Sequence, residues 1–393
     1  MVLPDPQRRP GGGPPYSPEA EDSFNTLSSL DSSHLSRPAR SVSTASYSSS
    51  SHTPRSSRSS ISSDFSSSTS SSTTIQPRPS RLFFKGGLNP DLAALAPFLQ
   101  ATYRREAEFY HHLAPQLRAA GVRLPESYFA GVDTTSGQGV VVLEDLAARG
   151  YTFGRPERPM SVDQVRAGVE QLAQLHAATW SGRRGNDEYP WLEKQQGGSL
   201  RDIIRELLKP GPLRCRRAPE HGGPDGGRFK EHEALLLDRE RMLGAFEVLW
   251  SYDCSPSSAA FQSIVHGDPH IGNTYATAAG VPGFLDWQTL ARGNGFHDVA
   301  YFVASALTVE DRRAYEGDIV RANMEALHRQ GGPHLEWEDA WLQYRRHLLH
   351  GYVLCLAQAG MQSQENIWIL TKRYVTAILD HSVMRLLEGS AET

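Results

Sequence analysis

Between Ile264 and Gln288 the sequence sets polar side chains among apolar ones: Ile264-Val265-His266-Gly267-Asp268-Pro269-His270-Ile271-Gly272-Asn273, then Gly283-Phe284-Leu285-Asp286-Trp287-Gln288. A strand over 263–266 delivers Asp268 into a tight loop, Asn273 follows shortly after, and a second strand over 281–285 ends at Asp286. Two carboxylates and an amide then meet at one end of a hairpin. Oxygen donors of this kind suit Mg2+, which takes one or two carboxylates, keeps several waters and accepts substrate phosphates for the remainder. An Asp left outside the metal shell can accept the proton of a substrate hydroxyl. Together these are the parts of a phosphoryl-transfer site. A metal-dependent hydrolase competes, because His266, Asp268 and His270 alternate as His-x-Asp-x-His; that chemistry needs further ligands, and the sequence offers no second His/Asp cluster. His111, His112, His176 and His297 have no partners at metal-ligand spacing and read as surface or core histidines.

His266-Gly267-Asp268 with Asn273, followed by Asp286-Trp287-Gln288, resembles the catalytic loop and metal-binding motif of the aminoglycoside phosphotransferase and choline kinase-like family, small-molecule relatives of protein kinases. The final Gln places the motif nearest the ecdysteroid kinase-like branch. The resemblance spans about residues 80–390. It implies a bilobal, protein kinase-like α+β fold and an ATP- and Mg2+-dependent transfer of phosphate to a hydroxyl of a small molecule. It further implies that Asp268 orients and deprotonates the acceptor, and that Asn273 and Asp286 hold Mg2+. Lys85, closing Leu82-Phe83-Phe84, takes the place of the phosphate-binding lysine, and Glu106 that of its helix partner, with Glu108 as the alternative. The backbone of Glu144, Asp145 and Leu146 falls where the family binds adenine. Asp298 matches a mainly structural aspartate, and His266 would brace the loop. The family normally sets two or more strands and a phosphate-covering loop ahead of the lysine strand; a Ser-rich segment ending Ile75-Gln76-Pro77-Arg78-Pro79-Ser80 stands there instead, so the N-terminal lobe reads as truncated. A noncatalytic kinase-like binding or scaffold protein, or a shortened gene product of such a kinase, is the alternative. No Ala-Pro-Glu motif follows Asp286, which disfavours a protein kinase.

The elements that must carry these residues follow from periodicity. Ser80 to Lys85 reads as a strand ended by Gly86-Gly87, and 91–118 as helix, with Leu92, Leu95, Leu99, Tyr103, Ala107, Tyr110 and Leu113 at helical spacing. Ser127–Val132 and Val140–Leu143 form a hairpin. From 147 onward the chain turns helical, most clearly over 161–180, where Val165, Val169, Leu172, Leu175 and His176 share a face. Further helices are expected over 230–250, 337–358 and 368–387, with a Gly/Pro loop over 210–228 and a turn over 361–366. The expected organisation is a disordered head over 1–79, an N-terminal lobe and hinge over 80–146, and a helical C-terminal lobe over 147–393.

Composition fits this division. The 393 residues allow a large domain beside an unstructured portion, and the Ser-dominated head buries too little apolar surface to offset its chain entropy. Forty basic against 44 acidic side chains give a net charge of -4, which argues against a nucleic-acid partner. No run approaches the roughly 18 apolar residues of a membrane helix. Three dispersed cysteines, Cys215, Cys254 and Cys355, suit reduced thiols in a cytoplasmic protein.

Overall fold

The structure is a computed structural model that describes residues 81–86, 97–180, 189–195, 199–208, 238–355 and 363–390. The Ser-rich segment 1–79, the loop 210–228, Cys215 and residues 361–362 of the expected turn lie outside the described residues.

The first layer is a three-stranded antiparallel sheet in the order β1-β3-β2, from β1 (Leu82–Gly86), β2 (Ser127–Val132) and β3 (Gly139–Glu144). Lys85 faces Val141 across the β1–β3 ladder. In β3, Val141 and Leu143 point into the core while Val140 and Val142 stay half-buried, the alternation of a strand covered on one face. The cover is α1 (Pro97–Glu108), continued by a π-helical turn (Phe109–Leu113) and α2 (Ala114–Ala119). The helix runs so close over β3 that a Cβ on Gly139 would lie 2.2 Å from the Tyr103 carbonyl. Only glycine fits there.

After a short β4 (Thr152–Phe153), the C-terminal lobe opens with α3 (Val162–Thr179), whose start carries a reciprocal cap between Ser161 and Gln164. The expected apolar face of α3 is the buried one. Next come α4 (Ser199–Leu208) and α5 (Arg239–Asp253). Four short strands follow, β5 (Gln262–Val265), β6 (Thr274–Ala276), β7 (Pro282–Phe284) and β8 (Ala291–Asn294). The lobe is completed by α6 (Gly295–Ala306), α7 (Val309–Arg329), α8 (Trp337–His347), α9 (Tyr352–Cys355), α10 (Gln364–Asp380) and α11 (Val383–Ser390). Every residue of α6 is buried, so this helix is the axis of the lobe. None of the described helices is long and apolar enough to cross a membrane.

Several expectations are corrected. The strand before Asp268 does not form a hairpin with the strand before Asp286: β5 pairs with β8, whereas β7 pairs with β6. The partners β6 and β8 are three and four residues long, too short to show an alternating pattern. The helix expected over 337–358 stops at His347 and tightens into a 3-10 turn over Leu348–Gly351, where the Tyr374 ring packs against the bare Cα of Gly351. The helix expected over 368–387 starts earlier, at Gln364 with Ser363 as its cap, and is split at Ser382, whose φ is 50°.

Candidate active site

The loop after β5 is held by its neighbours through the backbone. Gly267 has φ +87°, and a Cβ there would lie 2.3 Å from the Thr289 carbonyl, so the loop bends here only because the residue is glycine. Two consecutive residues of α6 grip it. Asp298, fully buried, accepts the amides of His266 (2.7 Å) and Gly267 (3.0 Å), and His297 Nε2 donates to the Gly267 carbonyl at 3.0 Å. His176 of α3 completes the brace, 2.9 Å from Asp298 Oδ2. His266 turns inward: Nε2 donates to the Leu285 carbonyl at 2.9 Å and Nδ1 accepts the Asp268 amide at 3.2 Å. Burial lowers its pKa, in keeping with a neutral ring whose tautomer these two bonds fix. His266 therefore ties the loop of Asp268 to the strand end that precedes Asp286.

Both nitrogens of His266 are thus committed to the backbone. His270 Nδ1 accepts the Gly272 amide at 3.0 Å, and its Nε2 is 3.8 Å from Asp268. The alternating His-x-Asp-x-His triplet does not converge into a metal site, since two of its rings serve as loop braces.

Asp268, Asn273, Asp286, Lys85 and Glu106 do converge. Asn273 Nδ2 donates to both the carbonyl (2.9 Å) and the Oδ2 (3.1 Å) of Asp268, and its own carbonyl accepts Leu285 N at 2.8 Å. Asp286 sits at φ 63°, a left-handed conformation that Asp tolerates better than most side chains. Its Oδ1 is 3.0 Å from Lys85 Nζ, which is 2.7 Å from Glu106 Oε2. Burial alone would depress the Lys85 pKa, but the two carboxylates outweigh it and hold the ammonium above its ordinary value. Glu108, the other helix acid, lies against Arg104 and His112 instead.

The same helix is fastened to the segment after Asp286. Glu106 Oε1 accepts Trp287 N (3.3 Å), Arg105 Nη1 donates to the Gln288 carbonyl (3.0 Å), and Phe109 stacks on Trp287 with centroids 4.3 Å apart. Phe109 opens the π-helical turn, a feature that often marks functional sites because it shifts the register of a helix within one turn.

Sequence reasoning missed Tyr301. Buried in α6, its hydroxyl acts on the Asp268 carboxylate and favours the ionised form, and its ring stacks between His297 (5.6 Å) and Tyr374 (5.2 Å). Its position three residues after Asp298, one turn along the same helix, is the signal that could have found it. Burial and the nearby Asp286 charge push the Asp268 carboxyl up to about 8, against the opposing bonds from Tyr301 and Asn273. Its side chain still keeps 30% exposure, enough to meet a substrate.

The segment between the lobes uses its side chains locally. Glu144 binds the Glu126 amide and Arg149, Asp145 binds Arg81 and the Ala148 amide, and the Leu146 carbonyl accepts Arg149 N and Tyr151 N, both at 3.1 Å. Leu146 O is therefore already occupied.

The donor set fits a hard divalent cation with a nucleotide. Asp286 is 40% exposed, no described residue hydrogen-bonds Asn273 Oδ1, and Lys85 supplies a fixed positive charge beside them.

The sequence profile of the ecdysteroid kinase-like family matches residues 98–331. No curated protein sequence matches the chain. Among solved structures, an aminoglycoside phosphotransferase from Alicyclobacillus acidocaldarius is 14% identical, with 79% of this chain and 87% of that chain covered and a TM-score of 0.41. The choline kinase LicA from Streptococcus pneumoniae is 12% identical, covering 80% of this chain and 86% of that one at a TM-score of 0.42. The amicoumacin kinase hAmiN, in complex with AMP-PNP, Ca2+ and Ami, is 13% identical, covering 77% and 82% at a TM-score of 0.42. The fold is α+β, a small sheet lobe joined to a larger helical one, and the matched segment takes in Glu106, Asp268, Asn273, Asp286 and the whole of α6. The chain belongs to the ecdysteroid kinase-like family.

Proposed function

We propose that the protein is an ATP- and Mg2+-dependent kinase that phosphorylates a hydroxyl of a small molecule in the cytoplasm. The observation that carries this reading is the joining of Asp268 and Asn273 on one side, and Asp286, Lys85 and Glu106 on the other, through bonds no longer than 3.1 Å. Asp286 and Asn273 Oδ1 would hold Mg2+, and Lys85, steadied by Glu106, would bind the α/β-phosphates. The Glu144 carbonyl and the Asp145 backbone would receive the adenine, with the Leu146 amide, since the Glu144 amide and the Leu146 carbonyl are taken. Bound Mg-ATP would supply the phosphoryl group and neutralise charge around it.

Asp268 orients the acceptor and takes its proton. With the carboxyl near 8 in the resting site, most molecules at neutral pH hold that proton already. Burial is the larger cause of that shift; a divalent charge on Asp286 would relieve the repulsion that adds to it and bring Asp268 closer to the ionised form a base needs. Asn273 holds the carboxylate in place through its Nδ2, and the Tyr301 hydroxyl favours its ionised form. Positioning and electrostatics then do most of the catalysis. The dispersed cysteines, with no disulfide at Cys254 or Cys355, suit a reducing compartment.

Calorimetry of Mg-ATP binding to the full chain and to Asp286→Asn tests the reading. Saturable binding that requires both Mg2+ and Asp286 is expected, followed by ATP consumption when hydroxyl acceptors are screened. A folded protein that binds no nucleotide overturns it in favour of a noncatalytic relative.

A further inference from the structure

His297, which grips Gly267, is also one of three buried histidines that come together from distant parts of the chain. His347 ends α8 and His350 lies in the turn after it; one ring nitrogen from each of the three falls within 4.8 Å of the others. None is more than 3% exposed. The rings of His297 and His350 are 4.2 Å apart at 64°, and those of His347 and His350 are parallel at 5.5 Å. Behind them lies Asp253 at the end of α5, 5% exposed, with Oδ1 3.5 Å from His347 Nε2. Among the described residues, both nitrogens of His347, Nε2 of His350 and both oxygens of Asp253 lack a hydrogen-bond partner. Buried polar atoms left unpaired are costly, so a cluster of them calls for an occupant.

We propose that His297, His347 and His350 bind one Zn2+, whose fourth ligand is a water, with Asp253 behind His347 as the carboxylate that orients it. Three imidazoles backed by a carboxylate are a zinc donor set. Burial, reinforced by the neighbouring rings, pushes His297 far down and His350 to about 3, so both are in the neutral form that binds a metal. His297 ligates through Nδ1, because Nε2 carries the bond to Gly267; Gln195, whose Nε2 is 2.9 Å from that nitrogen and whose Oε1 has no partner, withdraws. A tetrahedral zinc with bonds near 2.0 Å sets its ligands about 3.4 Å apart, so binding draws the rings together by roughly an ångström. The ion would join α5, α6 and the α8 corner directly beneath the loop of Asp268. This proposal stands apart from the kinase reading.

The test uses the full-length, tag-free chain, stripped with a chelator and titrated with Co2+. The expected result is one equivalent bound with the strong visible absorption of tetrahedral Co2+, displaced by Zn2+, with a rise in Tm. His347→Gln and His350→Gln should abolish the band, and Asp268→Asn/Asp286→Asn should leave it intact. Absence of the band, its survival in both histidine variants, or its loss in the double aspartate variant overturns the proposal. If the histidine variants do not fold, the double aspartate variant decides alone, since a Co2+ band retained there cannot arise from the nucleotide site.

Discussion

At Asp268, the environment proposed to prepare a base also burdens the fold. Its carboxyl titrates at about 8 in the folded protein, against an ordinary 3.8, so the native state binds a proton the unfolded chain has released. The sign follows: stability contributed by this group is full below about pH 4 and is lost as pH rises towards 8. Asp268→Asn should therefore abolish turnover yet raise stability at pH 8 by about 1 to 2 kcal/mol, allowing for solvent screening of a partly exposed group. Thermal unfolding of both proteins at pH 5 and pH 8 measures it; the gap should shrink at pH 5. Tyr301 acts in the opposite sense, since its hydroxyl favours the ionised carboxylate. Tyr301→Phe should move the acidic limb of the pH–rate curve to higher pH and lower kcat about 10-fold at pH 7, with KM for ATP little changed. A merely structural role for the hydroxyl would leave the limb where it is.

The next scale is the coupling of α1 to β1 and to the segment after Asp286. Glu106 is 2% exposed and Lys85 is largely enclosed, so removing one partner strands the other. Lys85→Met should cost about 3 to 5 kcal/mol, and Glu106→Leu a comparable amount, while the double variant should recover much of the loss. Urea unfolding of the three variants gives the coupling energy, and additive losses would show that the pair is not a unit. Much of this scale was legible in the sequence. Asp268, Asn273 and Asp286 stand out by residue type and spacing, Lys85 and Glu106 only through the family resemblance, and α3 by its apolar face. The π-helical turn was not legible, because the apolar positions of 97–119 keep a helical rhythm to either side of it. Nor was the pairing of β5 with β8, because Arg292, Gly293 and Asn294 carry no strand pattern and register there is set by tertiary contacts. The three-histidine cluster escaped for a related reason: His297 lies 50 residues before His347 and His350 only three after it, and the packing of α8 on α6 brings them together.

Across the whole molecule, the C-terminal helices are tied back by buried arginines. Arg312 of α7 is 1% exposed and binds Glu316 through Nη1 at 2.9 Å and Asp380 of α10 through Nη2, while Tyr344 and His381 also bind Glu316. Arg312→Met should leave Glu316 short of its main counter-charge and cost about 3 to 5 kcal/mol, visible as a fall in the denaturation midpoint. Arg373 of α10 reaches Ser305 O at the end of α6 and Pro156 O before α3, so both ends of the lobe share one guanidinium. Such long-range ties leave no local signature, and the sequence reading accordingly placed helices in this region without their breaks. Lys85 belongs to the sheet lobe and Asp286 to the helical lobe, and their bridge joins the two. The resting protein thus carries a built-in counterion in the seat proposed for its metal. Entry of a divalent cation would then exchange one positive charge for another, and Lys85, still held by Glu106, would be released from Asp286 towards an arriving triphosphate.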